Sequence, residues 1–279
     1  MKSILVTGGS GTFGEAFIPA ALDAGCERLC IFSRGEHRQA ELRSKYANDE
    51  RLHWFIGDVR DRERLFRAME NISVVVHAAA LKRIEVCEYD ATEMVKTNVC
   101  GTVNVVETAH EAGIDKVVAL STDKACDPVN AYGAGKLLAE RVVLAANASR
   151  GAHGPIYAAV RYGNIWASNG SVVPRWQALM ANGHGEVPVT DPNCTRFFLR
   201  SKDAAALVIQ TIRKMKGGEL VIPDLPAYRL GDLAEAMEVD MRIIGLPEHE
   251  KRHESMRTGE TSADARRMSV KELKAALDG

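Results

Sequence analysis

The segment STDKACDPVNAYGAGK, Ser121 to Lys136, concentrates side chains able to handle protons. Thr122, Asp123 and Lys124 follow one another directly, offering a hydroxyl, a carboxyl and an amine. Tyr132 and Lys136 come next, four residues apart, so on a helix they share one face. An ammonium beside a phenol favours the phenolate and brings the tyrosine towards use as a base. Taken alone, the same residues also fit a solvated loop followed by an ordinary amphipathic helix. The elements around them decide.

KVVALST reads as a strand that ends at Ser121, and a helix follows from about Asn130 to Ala148. SILVT, RLCIFSR, LHWFIGD and ISVVVHAAA precede them as four further strands. The last of these is a β-branched run suited to burial on both faces. IYAAVRYGNI and ELVIP complete the set. Helices are expected after the first glycine turn, from Glu36 to Tyr46, from about Glu88 to Ala112, and over SKDAAALVIQTIRKM. This alternation predicts an α/β fold: a doubly wound parallel Rossmann sheet with right-handed crossovers. The pattern loosens after Asn164, where Gly, Pro and Asn accumulate, and becomes mixed beyond Asp224. We therefore expect a Rossmann domain from 1–164 with 198–223. A smaller, discontinuous C-terminal substrate lobe would come from 165–197 with 224–279.

Ligands of such sheets bind beyond the carboxyl ends of the strands, so Thr122 to Lys124 emerge where a nicotinamide would lie. The first turn, TGGSGTFG, spaces Gly8, Gly11 and Gly14 for close approach of a pyrophosphate, with Ser10, Thr12 and Phe13 between them. The helix that follows favours the negative charge. At the end of the second strand stand Ser33 and Arg34, with Arg38 one helical turn on, where NAD binders place an acid. A guanidinium accommodates a 2′-phosphate, which favours NADP over NAD, although an arginine can also stack on adenine. Asp58 and Val59 end the third strand and can flank the adenine; Asp61 fits a helix cap equally well.

Composition removes several classes. The chain has 279 residues, 46% of them hydrophobic, with 36 basic and 37 acidic side chains. That balance supplies no field for gripping nucleic acid. The apolar run near the N-terminus is short for a signal segment, and none approaches a membrane span, so a soluble, cytoplasmic protein without membrane partners is expected. Six cysteines form no CxxC pair and read as reduced thiols. The HEKRH string, His249 to His253, matches HExxH but lacks a third ligand, so no metal is expected.

The stretches TGGSGTFG, FIGDVRD, HAAALKRIEVCEYDATEMVKTN, STDKACDPVNAYGAGK, VRYGN, GSVVPRW and TRFF together resemble extended short-chain dehydrogenases/reductases. More closely, the chain is similar to the inverting UDP-N-acetylglucosamine 4,6-dehydratases of the pseudaminic-acid pathway, in the polysaccharide biosynthesis protein family. Related membrane-bound retaining enzymes typically carry methionine where this chain has Tyr132. The resemblance implies roles. Tyr132, with Lys136, would take the proton of the sugar 4-hydroxyl as hydride leaves carbon 4 for NADP. Lys124, its pKa lowered by burial and by Lys136, would take the carbon-5 proton. Asp123, protonated, would release the 6-hydroxyl as water, and Thr122 would bond the 4-oxygen.

The resemblance also implies that Ala78, Ala79 and Ala80 line the cofactor. Lys82, Asn164, Val173, Arg196 and Glu254 would meet a UDP-sugar. Lys82 fits a solvated turn as well, Asn164 a loop cap and Arg196 a surface ion pair. HEKRHE departs from the family's GEKLHE-like motif, and the chain ends sooner than is usual, so a reduced nucleotide lid is expected. Assembly into a homo-oligomer is expected too. A 4-epimerase would share Thr122, Tyr132 and Lys136 but has no use for Asp123 and Lys124 as an acid and a base. A non-catalytic NADP-binding regulator commonly loses the tyrosine or the lysine.

Overall fold

The structure, a computed structural model, describes residues 2–46 and 49–278. The first half alternates β1 (Ser3–Thr7), α1 (Thr12–Asp23), β2 (Arg28–Ser33), α2 (Glu36–Lys45), β3 (Leu52–Ile56), α3 (Arg62–Met69) and β4 (Val74–His77). After β4 come α4 (Ile84–Tyr89), α5 (Ala91–Met94), a π-helical turn (Val95–Cys100) and α6 (Gly101–Glu111). β5 (Lys116–Leu120), α7 (Ala131–Ser149) and β6 (Ile156–Val160) follow. Then come α8 (Val172–Ala181), β7 (Glu186–Val189), β8 (Thr195–Phe197), α9 (Ser201–Lys214) and β9 (Leu220–Val221). The remainder holds β10 (Ala227–Arg229), α10 (Leu230–Met237), β11 (Asp240–Ile243), β12 (Ser255–Arg257), β13 (Glu260–Thr261) and α11 (Val270–Leu277).

Seven strands form one sheet in the order β3-β2-β1-β4-β5-β6-β9, and every pairing in it is parallel. The order reverses between β1 and β4, so the crevice beyond their carboxyl ends is the natural ligand site. Buried Ile, Leu and Val make β1, β2 and β4 apolar on both faces, as helix-covered parallel strands must be. One face packs Phe17, Ile18 and Ala21 of α1 against Ala205, Val208 and Ile212 of α9. The other packs Leu65 and Met69 of α3 with Val105 of α6 and Val143 of α7. A third apolar cluster joins Val173 and Trp176 of α8 to Val187, Tyr228, Leu233 and Leu273. Among the described residues no helix is long and apolar enough to cross a membrane.

The single helix expected from about Glu88 to Ala112 is broken. Asp90 leaves the helical path, and its carboxylate caps α5 by accepting from the Glu93 N–H. The π turn that follows directs Asn98 inward, where Oδ1 accepts from the Leu81 N–H and Nδ2 donates to the Leu81 carbonyl, both at 2.8 Å. That pair pins the loop after β4. Asp61 proves to be a cap, accepting from the Arg64 N–H at 2.9 Å.

Candidate active site

The glycine turn meets the loop after β4 backbone to backbone. Gly8 has φ +68°, and a Cβ placed there would sit 2.8 Å from the Ala79 Cα. A Cβ at Gly14 would come 2.1 Å from the Gly9 carbonyl, so α1 starts directly on the turn. This leaves a cradle of backbone amides at a helix N-terminus, bordered by Gly11 and the half-exposed Ala78, Ala79 and Ala80. Phe13, Val59 and Val173 bury their side chains in the three apolar clusters, so at these positions the backbone is what a ligand would meet.

At the end of β2, Ser10 donates to Ser33 Oγ at 2.8 Å, and Gln39 donates to the same oxygen and to the Phe55 carbonyl. Arg38 is engaged with the Ser10 carbonyl, Glu15 and Glu41. Arg34 is more open: about half its side chain is exposed, and its contact with Asp58 is long, at 3.8 Å. Asp58 is otherwise held by Arg60. Opposite the turn, Lys82 Nζ donates to the Asn169 carbonyl at 2.8 Å, and the Asn169 N–H donates to Thr12 Oγ1 at 3.3 Å. Asn169 thus straps the loop after β6 across the first turn.

The proton-handling residues converge beyond β5. Thr122 to Lys124 leave the strand end in a tight turn, and the Asp123 N–H donates to the Tyr162 carbonyl beyond β6. Asn130 caps α7 by accepting from the Gly133 N–H at 2.8 Å, which fixes where Tyr132 and Lys136 project. Asp123 is fully buried, and its Oδ1 accepts from Thr122 at 2.9 Å and from Lys124 Nζ at 3.1 Å. Lys124 Nζ also meets Asn164 Oδ1 at 3.2 Å and Glu254 Oε1 at 3.0 Å. Arg196, on β8, places Nε 3.9 Å from the same Glu254 oxygen and donates to the Thr195 and Arg252 carbonyls. Asp123 Oδ2 and Glu254 Oε2 are buried without a partner.

Two electrostatic expectations are corrected. Burial does disfavour the charge on Lys124, but Asp123 and Glu254 outweigh it and hold the amine above the usual lysine range. The Tyr132 phenol is raised where a lowering by Lys136 was expected: burial pushes it up to about 12, and Lys124 is the cation that opposes burial there. Lys136 Nζ donates to the Leu120 carbonyl, and burial pulls its pKa down to about 8 despite Glu140. Burial also raises the Asp123 carboxyl, and Lys124 opposes it. Glu254 is held low: burial works against its charge, but Lys124 and Arg196 prevail.

Several supporting residues escaped the sequence reading. His77 ends β4 between Thr7 Oγ1 at 2.8 Å and Thr102 Oγ1 at 3.0 Å; burial, then Lys136, keeps it neutral with a pKa of about 3. A lone histidine closing the apolar run of β4 was the available signal. Glu140 of α7 and Arg161 after β6 form a buried pair. Nothing in their spacing announced it. The HEKRH string lies outside any helix, with His253 Nδ1 on Thr195 Oγ1 at 2.8 Å. Among the described residues no group of three His, Cys, Asp or Glu is placed to hold a metal.

This crevice and sheet order are those of the doubly wound Rossmann fold expected from the resemblance to extended short-chain dehydrogenases/reductases. The chain belongs to the family described as polysaccharide biosynthesis protein, which it matches over residues 4–274. It is 42% identical over 264 residues to the UDP-N-acetylglucosamine 4,6-dehydratase (inverting) of Campylobacter jejuni subsp. jejuni serotype O:23/36 (strain 81-176). That match covers 94% of this chain and 79% of the relative. Among solved structures, Pen from Bacillus thuringiensis superposes with a TM-score of 0.95 at 32% identity, covering 100% of this chain and 98% of the other. The fold is shared also by DesIV, a dTDP-glucose 4,6-dehydratase from Streptomyces venezuelae solved with NAD and TYD bound. Its TM-score is 0.83 at 20% identity, over 99% of this chain and 96% of that one.

Proposed function

We propose that the protein removes water from UDP-N-acetylglucosamine to give a 4-keto-6-deoxy sugar nucleotide, with inversion at carbon 5. The observation that carries this reading is the 3.1 Å contact between Lys124 Nζ and Asp123 Oδ1 beside Tyr132. Elimination needs an acid and a base in addition to the oxidising pair, and these adjacent side chains are one proton transfer from being both. The kinship with an inverting dehydratase supports it.

The glycine cradle fits a nicotinamide dinucleotide, because the bare Gly8 and Gly14 let the turn close against Ala79 and the Gly9 carbonyl and bring backbone amides to the start of α1. Gly8, Ser10, Gly11, Thr12 and Gly14 would hold the pyrophosphate and Asp58 would border the adenine. Arg34 would hold a 2′-phosphate, so NADP is the proposed form. When bound, the cofactor supplies the hydride acceptor at carbon 4 and the hydride donor at carbon 6. Asn164 and Arg196 would contact the diphosphate and Glu254 the ribose. These groups belong to the lobe and to the loop that leads into it.

The residues then divide the work. Tyr132 accepts the 4-hydroxyl proton and Thr122 bonds that oxygen. Lys124 passes its ammonium proton to Asp123, leaving an amine and a carboxylic acid. The amine takes the carbon-5 proton, which the new 4-keto group has acidified. Asp123 gives its proton to the departing 6-hydroxyl, which leaves as water. A solvent-derived proton then reaches carbon 5 from the face opposite Lys124, which inverts that centre, while the proton on Tyr132 returns to solvent. Mass and NMR analysis of the product from UDP-N-acetylglucosamine in deuterated water tests this. A 6-deoxy product with one deuterium on carbon 5 is expected. A 4-epimer that keeps its oxygen and gains no deuterium would refute it.

A further inference from the structure

Lys124 Nζ has three hydrogens and three acceptors: Asp123, Asn164 and Glu254. An amine so satisfied has no lone pair for a carbon acid. Asp123 is the proposed acid, and Asn164 is neutral. Glu254 brings a second negative charge, and its backbone is fixed. Its N–H donates to Ser262 Oγ at 3.0 Å, and its carbonyl accepts from the Ser262 N–H at 2.7 Å. A carboxylate in that place favours the ammonium and opposes transfer of its proton to Asp123.

We propose that Glu254 is a positioning residue that acts through Lys124: by its contact with Nζ it holds the amine as the ammonium and aims it, and so governs when the base becomes available. This rests on the dehydratase reading for its place in the reaction, but the contact itself does not. The groups facing Lys124 are Asp123 on its own turn, Asn164 after β6, Arg196 on β8, Tyr132 on α7, Tyr228 on β10 and Glu254 before β12. Of these, Asp123 and Glu254 are the carboxylates that meet Nζ, and Arg196 tempers Glu254.

The test needs no substrate. Full-length protein is labelled with trace acetic anhydride across a range of pH, and acetylation of Lys124 is read by peptide mass spectrometry. The wild-type amine should resist labelling well into the alkaline range. Glu254→Gln removes the charge but keeps the shape, so labelling should begin at lower pH. At a given alkaline pH it should be about tenfold greater for each pH unit by which the amine's pKa falls. Glu254→Asp, which keeps the charge, should label like wild type. Adding Asn164→Asp to Glu254→Gln restores a second carboxylate at Nζ and should return labelling towards wild type. In steady-state turnover of UDP-N-acetylglucosamine, the alkaline limb of the kcat profile should move down with the labelling in Glu254→Gln.

Identical labelling curves for wild type and Glu254→Gln overturn the proposal. So does a Glu254→Gln enzyme that raises KM and leaves the kcat profile in place, since that is the signature of ribose binding alone. If Glu254→Gln does not fold, Glu254→Ser carries the same labelling prediction. A labelling shift in a protein that gives no dehydrated product would uphold the Glu254–Lys124 coupling and refute the dehydratase reading.

Discussion

Arg161 grips Glu140 with two parallel hydrogen bonds, Nε to Oε1 at 2.9 Å and Nη2 to Oε2 at 2.6 Å, in the interior of the protein. Its third nitrogen donates to the Met256 carbonyl on β12 at 2.7 Å. One guanidinium therefore joins α7, which carries Tyr132 and Lys136, to the end of β6 and to the strand beside Glu254. Glu140→Gln should leave the guanidinium buried without its counter-charge. A loss of about 3–5 kcal/mol is expected, the cost of breaking a buried pair from one side. Urea unfolding would measure it, and a loss below about 1 kcal/mol, the range of a surface pair, would contradict burial of the fork.

Arg34 should decide the form of the cofactor. Arg34→Ala removes a guanidinium that has only a long contact with Asp58. NADP binding should weaken roughly 10- to 100-fold, as for loss of a charge-assisted hydrogen bond, while NAD binding stays unchanged. Fluorescence titration with each dinucleotide would show it. Equal loss for both would mean that Arg34 stacks on the adenine.

Tyr132→Phe keeps the ring and removes the hydroxyl proposed to accept the proton. Product formation should fall on the order of 10²- to 10⁴-fold. Burial holds the wild-type phenol in its neutral form up to about pH 12, so wild-type turnover should climb with pH through the neutral range. The residual rate of the variant should lack that climb. A variant with the wild-type slope would place the base elsewhere.

Lys136 links stability to pH in a direction fixed by its burial. Its folded pKa is about 8, below the ordinary 10.5. Between those values the unfolded chain binds a proton that the folded chain does not, so stability contributed at this site rises with pH across that window. Below it, the full penalty of holding a buried ammonium remains, up to about 3 kcal/mol. Lys136→Met should therefore raise stability at neutral pH and flatten the rise, though by less than that bound, because the Leu120 carbonyl loses a donor. Chemical denaturation at neutral pH and near pH 10 would separate the cases. A variant less stable than wild type at neutral pH would contradict the sign.

Much of this architecture is legible in local pattern. β4 is a run of valines, Gly8 needs a left-handed backbone, and Tyr132 and Lys136 stand one helical turn apart. What is not legible depends on partners far along the chain. Asp90 reads as one more helix residue until its carboxylate is seen capping α5. α3 is short, and a charged stretch hid it. The charge on Lys124 is held by Asp123 beside it and then by Glu254, which lies 130 residues later and reaches the amine because β8 brings Thr195 beside His253. A reading that weighs burial and Lys136 and leaves out these two carboxylates gives the shift the wrong sign.

The packing of α1 against α9 has a consequence for how the chain is made. Phe17 and Ile18 of α1 leave the ribosome well before Val208 and Ile212, which cover the same face of the sheet and are synthesised almost 200 residues later. At ordinary elongation rates that interval is on the order of ten seconds or more. Throughout it, the nascent polypeptide carries an apolar sheet face that α1 covers only in part. Until α9 emerges, that face is open to chaperones and to aggregation.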